Sequence, residues 1–332
     1  MPGPGLQRRL RNECHSQASR EARLWLPSKH AEPPAAQGAH QRHPRLGLGW
    51  ARALRIQRSA AQVGRTTLAA ALLLGVQVSA RAQSSIEAAT DALRSGDPQG
   101  AVEIATGILE GGGDQRAGAL WIRALARERT GDLSGAADDL AALARSLPEN
   151  PRVLMALGGA KFKLGDARGA IEAFDAAAAA DPELDPHLWQ RGIAHYYAGR
   201  FRDGARQFEV HRSVNPQDVE NSVWHFLCVA ATEGLEVARD GLMPVRTDSR
   251  VPMAEILRLF AAEADPDEVF EAAEGNGPGA ALYAHLYVGL YHEAAGDEML
   301  AGEHMARAVA LRLEHHYMWH VARVHDTLRN AK

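Results

Sequence analysis

Histidine has the most chemistry to offer in this chain, with eleven of them falling between His187 and His325. His316 and His320 stand four residues apart, the spacing that sets two imidazoles on one helix face as metal ligands require. No glutamate lies between them in the H-E-x-x-H order, and no cysteine is near. His292-Glu293 has no second histidine at the spacing a zinc protease needs. The pattern suits solvated or packing histidines better than ligands, so neither a metal nor a cofactor is expected. No G-x-S-x-G elbow, phosphate-binding glycine loop, dinucleotide fingerprint or nucleophile triad signature occurs. The expectation is a protein that is not an enzyme; the competing reading is a metal-binding or catalytic protein that uses the His-rich C-terminal half.

Two other reactive types are accounted for by packing. Cys228 sits in the apolar run 223–230 and reads as a buried small hydrophobe. With Cys14 in a segment expected to be discarded, no internal disulfide can form. Tyr283, Tyr287 and Tyr291 recur every four residues and form one stripe on a helix. Packing within the last repeat is the first reading of that stripe; a self-association surface, giving a homodimer through the C-terminal half, is the second.

The elements that must hold these residues follow a period. Gly131, Gly165 and Gly199 stand 34 residues apart, and so do Pro148, Pro182 and Pro216. Between each glycine and proline lies an amphipathic helix, and another precedes the glycine. The clearest unit, residues 151–184, carries Leu154, Leu157, Gly158, Gly165-Asp166, Ala170, Phe174, Ala177 and Pro182. A 34-residue helix-turn-helix with small residues at the helix crossing and proline at the end resembles the tetratricopeptide repeat (TPR) family. The resemblance covers residues 84–216 in four units, the first degenerate. It implies an all-α, right-handed superhelical solenoid. Beyond Pro216 the period lapses. Helices are expected over 219–231, 235–243, 251–261 and 267–273, then a repeat-like pair over 281–295 and 299–313. Residues 315–329 read as a terminal capping helix with the polar outer face a solenoid end needs.

Segments 188–200 and 282–297 are similar to parts of the TPR lipoprotein adaptors of the enterobacterial outer membrane, and the chain resembles uncharacterised TPR proteins of bacteria and plastids equally. The adaptors hold murein hydrolases and present them to a periplasmic protease, so the implied partner is another protein, such as an envelope hydrolase or protease. In TPR superhelices the first helix of each unit lines a concave groove. By register those positions hold Trp121, Leu125, Glu128 and Arg129, then Arg152, Met155, Phe162 and Lys163, then Trp189, Ile193, Tyr196 and Tyr197. Such aromatics suit a peptide or partner helix, although Trp121 and Tyr196 equally suit packing between repeats. The Lys and Asn clamps of TPR domains that bind chaperone C-termini are missing.

Charge divides the chain. Residues 1–82 hold 13 basic against 3 acidic side chains, whereas the remainder holds 24 against 38. An acidic array repels phosphate backbones, so no nucleic-acid partner is expected. Residues 63–82 read as a secretory signal peptide: Arg65, an apolar run over 68–78, and Ala80-Arg81-Ala82 before the cleavage point. The alternatives are a first buried helix and a cytoplasmic protein. The run is too short for a membrane span, and no cysteine follows Ala82 closely enough to carry lipid, so no stable membrane anchor is expected. Residues 1–62 read as a disordered extension or as upstream sequence, with translation starting at Val63. The domains are then 63–82 signal, 83–217 TPR array and 218–332 divergent helical repeats, the mature chain being exported to the periplasm or secreted. N-terminal sequencing of the exported protein should begin at Gln83; a start well upstream would contradict this.

Overall fold

The computed structural model describes residues 85–331, all within one compact unit spanning Gln62–Lys332. The expected signal peptide and the segment before it lie outside the described residues. Among the described residues there are fifteen α-helices, one 3-10 segment and no strand. They are α1 Ile86–Ser95, α2 Pro98–Gly111, α3 Arg116–Thr130, α4 Leu133–Ser146, α5 Pro151–Lys163, α6 Ala167–Ala180, α7 Trp189–Tyr197 and α8 Phe201–Arg212. The 3-10 segment Pro182–His187 precedes α7. Then follow α9 Val219–Glu233, α10 Leu235–Asp240, α11 Met253–Phe260, α12 Pro266–Ala273, α13 Pro278–Ala294, α14 Glu298–Ala310 and α15 Tyr317–Asn330.

The Gly-Asp pairs cut the helices. Gly131, Gly165 and Gly296 end α3, α5 and α13 in the left-handed region, at φ +85°, +84° and +82°, where a Cβ is penalised. The aspartate that follows caps the next helix. Asp132, Asp166 and Asp297 each accept from the backbone N–H three residues on, at 2.8–3.1 Å. At Gly199-Arg200 the aspartate is missing, and α8 starts without a side-chain cap.

One steric match sets how closely each helix pair approaches. A Cβ on Gly158 would lie 2.7 Å from the Phe174 ring, and one on Gly192 the same distance from Phe208. On Gly289 it would meet Met305 at 3.0 Å. In every case the two residues are sixteen apart. In the second repeat the same offset joins Ala124 to Leu140, which share a small core cluster, so a smaller filler accompanies a larger crossing residue. A buried aromatic fills about the space a missing methyl frees, as close-packed interiors demand.

Core size changes along the chain. The first repeats bury small, separate, alanine-rich clusters. From Phe162 to Val324 one continuous core takes over. The expected second helix after 235 stops at Asp240, because Gly241 follows. Residues 242–252 instead form an irregular segment that is tied down by side chains. Ser222 Oγ donates to the Met243 carbonyl at 2.7 Å, and Arg250 binds Asp218 at 2.6 Å, Asp248 at 2.5 Å and Glu220. Helix α13 begins three residues earlier than expected, because Pro278 is itself a favourable first helical residue.

The terminal helix departs most from its expected role. Rather than presenting a polar face at the end of a solenoid, α15 packs on α14 and α13 on one side and on α5 on the other. Met318, Trp319, His320, Val321, Ala322, Val324 and His325 are all buried.

Replacing Gly192 with Ala should destabilise the fold by about 1–3 kcal/mol through overpacking. The double variant Gly192→Ala, Phe208→Leu should lose less than the two single changes summed, measured by denaturant unfolding. Strict additivity would show that the ring does not set the crossing.

Candidate partner-binding groove

The residues expected to line the concave groove fall into two parts, one on α3 and the front of α5 and one closed by α15. Trp121 is half-buried and touches three of the small clusters at once, so its ring is a packing element between repeats as well as groove surface. Leu125 rests on the cluster of Leu93, Ala101 and Ala126. Arg129 is exposed, and its guanidinium donates to the Leu93 carbonyl at 2.8 Å, joining α3 to α1. Met155 is half-buried against the main core, and Arg152 lies beside it on the exposed side of α5. Glu128 on α3 pairs with Lys163 on α5 at the boundary between the two parts.

Beyond that ion pair the groove is filled by the chain's own α15. The Tyr317 ring stacks on Phe162 at 5.8 Å and meets Trp189 edge-on at 5.1 Å. Lys163 Nζ lies 5.8 Å from the Tyr317 ring centroid, in cation–π range. Arg323 donates to the Lys163 carbonyl. The Tyr197 hydroxyl is 3.1 Å from His325 Nδ1, and His325 Nε2 is 3.3 Å from a Glu293 carboxylate oxygen on α13. Phe162 and Ile193 are buried outright, at 0% and 1% exposure, so neither meets solvent. Tyr196 turns away into an aromatic set with Tyr197, Phe201 and Trp224, centroids 5.3–5.4 Å apart. Burial pushes the phenol pKa of Tyr196, Tyr197 and Tyr317 upward, so all three stay neutral.

Sequence reasoning missed Tyr317, Arg323, His325 and Glu293. One signal was present: the run Met318-Trp319-His320-Val321-Ala322 leaves α15 little polar outer face, which a free end cap requires.

The remaining candidates have structural partners. His316 caps α15, its Nδ1 accepting from the Met318 N–H at 3.2 Å. His320 Nε2 is 2.8 Å from the Glu314 carbonyl, so the i,i+4 pair is engaged at two separate places. His285 and His304 meet each other, Nδ1 to Nδ1, at 3.1 Å. Among the described residues no group of three His, Cys, Asp or Glu side chains is placed to hold a metal ion. Tyr283 and Tyr287 are buried, and the Tyr287 hydroxyl donates to Glu220 at 2.6 Å. The tyrosine stripe therefore packs on the chain's own core, with Tyr291 half-buried 5.6 Å from the Phe260 ring. Cys228 is fully buried, and burial raises its thiol pKa.

No protein-family model matches the chain, and no curated protein matches it; the closer likeness to outer-membrane lipoprotein adaptors gains no support from either. Among solved structures, a tetratricopeptide repeat protein from Parabacteroides merdae is similar over 72% of this chain and 96% of its own, at 16% identity and a TM-score of 0.51. A MamA fragment from Desulfovibrio magneticus aligns over 60% of this chain and 96% of its own, at 19% identity and a TM-score of 0.39. The first of these likenesses agrees with the helix pairs described above: the chain has the TPR fold.

Burial leaves a pH signature. His195, His285, His316 and His320 are pushed down to about 4, chiefly by desolvation. Unfolded, they take up protons near pH 6.5. Between those values the unfolded chain binds more protons than the native one, so stability is full above about pH 6.5 and falls as pH drops toward 4. Thermal midpoints measured from pH 7 to 4.5 should fall steadily, and the decline should be shallower in His320→Gln. A flat profile would contradict neutral buried imidazoles.

Proposed function

On the premise of a TPR fold, we propose that this protein is a non-catalytic scaffold of the bacterial cell envelope that binds another protein on its concave face. The observation that carries this reading is the occupied half of the groove. There, groove positions of the third and fourth repeats hold a helix through aromatic edges, a cation–π contact and single hydrogen bonds. The same kinds of group continue along α3 and α5: Leu125 and Met155 are half-buried in the floor beside Trp121, and Arg129 is exposed at the rim. A partner segment entering this stretch would meet half-buried apolar surface with charge at its edges, the usual composition of a recognition groove. Because the groove is preformed by packed repeats, the ordering cost of binding falls mainly on the partner.

Placement in the envelope rests on the Arg65, apolar-run and Ala80-Arg81-Ala82 pattern of an export signal. Among the described residues no helix is long and apolar enough to cross a membrane, and the scaffold is proposed to act without an anchor.

A crosslinked pull-down from an envelope extract should recover a defined set of proteins with the wild type and lose it with Trp121→Ala, Met155→Ala. Recovery of the same set by both would place binding elsewhere. A reporter fused after residue 90 should be exported; retention in the cytoplasm would contradict the envelope assignment.

A further inference from the structure

Helix α15 is held from two sides by different means. Toward α14, Trp319 Nε1 donates to the Val309 carbonyl at 2.9 Å, and Arg329 binds both the carboxylate and the carbonyl of Glu298 at 2.6 Å. Toward the groove, the attachments are the Tyr317 ring against Phe162 and Trp189, Arg323 on one carbonyl, and the Tyr197–His325 contact. Among the described residues, the buried His320 Nδ1 and Arg323 Nε on this helix have no hydrogen-bond partner, a cost that a native interior normally avoids. The connector from α14 contains Arg312 at φ +51°, a left-handed conformation unusual for a side chain of that size.

The groove beneath α15 is also continuous with the stretch along α3 and the front of α5. Lys163 touches both: its ammonium pairs with Glu128 on α3 and lies against Tyr317 on α15. A ligand lying along α3 and α5 therefore ends against the N-terminal turn of α15.

We infer that α15 is an intramolecular ligand of the groove, and that the partner is an amphipathic helix of the same chemistry that competes with it for Phe162, Lys163, Trp189 and Tyr197. Such a helix presents a tyrosine to the Phe162–Trp189 face, a guanidinium to the end of α5, and an imidazole or other polar group to Tyr197. This deepens the proposed function and rests on it, since it takes the concave face to be the binding surface. In the resting molecule α15 covers those positions. Apparent affinity there equals the intrinsic affinity multiplied by the fraction of molecules in which the helix is undocked, so loosening the helix raises it in proportion to that fraction. An extended peptide does not reproduce the stacked and edge-on ring contacts that a helix delivers at this spacing.

The probe is a fluorescent, end-blocked peptide of residues 315–331, titrated into the full chain and followed by polarisation. The full-chain variant Tyr317→Ala, Arg323→Ala should bind it at least tenfold more tightly than wild type, and adding Trp189→Ala should abolish the gain. Equal affinity of wild type and variant, with wild-type helicity retained, would overturn the inference. Should the variant fail to fold, hydrogen exchange on the unaltered chain decides. Amides of α15 exchanging faster than those of α14 and α5 support a helix that leaves the groove; exchange of all three only through global unfolding overturns it. The two readings fail separately. Loss of peptide competition leaves the Trp121 and Met155 pull-down intact, whereas an unchanged pull-down leaves peptide binding to the variant unaffected.

Discussion

A glycine on one helix facing a phenylalanine on the next sets the geometry on which this structure depends. At Gly158–Phe174 and Gly192–Phe208 the ring occupies the space a Cβ would fill. That contact fixes how near the two helices of a repeat come. It thereby fixes the angle at which the next pair stacks and the curvature that makes one face concave. Where the filler shrinks to Leu140, the crossing residue grows to Ala124, so the product of the pair is kept while its members change. Helical propensity supplies the helices, but packing supplies the superhelix.

Curvature then brings the end of the chain back to its middle. Arg323 and Lys163 are 160 residues apart in sequence and hydrogen-bonded in the fold. The concave face is therefore divided: repeats three and four are closed by α15, while Leu125 on α3 and Met155 on the front of α5 lie half-buried beyond its reach. The core follows the same division, small and discontinuous before Phe162 and continuous after it. A binding surface on the thin-cored repeats and a closed, aromatic-rich C-terminal half are two consequences of one fold-back.

Much of this was legible from residue types. The Gly-Asp turns, the prolines after each second helix and the small residue facing a large one specify local geometry, which a period exposes directly. The C-terminal pair α13–α14 could be read for the same reason, since Gly289, Gly296-Asp297 and Ala301 keep their offsets. The fold-back could not be read this way, because a repeat pattern describes contacts between neighbours and says nothing of contacts between distant units. Phe162 and Trp189 look alike whether they await a partner or already hold Tyr317. The clamp of Arg250 on Asp218, Glu220 and Asp248 was equally hidden, joining a helix start to an irregular segment with no sequence period. The buried histidines were visible as a cluster, but desolvation, which decides their charge, depends on neighbours that only the fold reveals.

The division of the groove turns on α15 lying in it, and a distance tests that most directly. Spin labels at Leu164, at the exposed end of α5, and at Thr327, one turn beyond Arg323, sit on solvent-facing positions. Each is within about one helical turn, roughly 5 Å, of the Arg323–Lys163 contact. Pulsed dipolar spectroscopy on the full chain should therefore return a dominant, narrow and short distance. A broad or long distribution would contradict the docked helix, and with it the division of the groove.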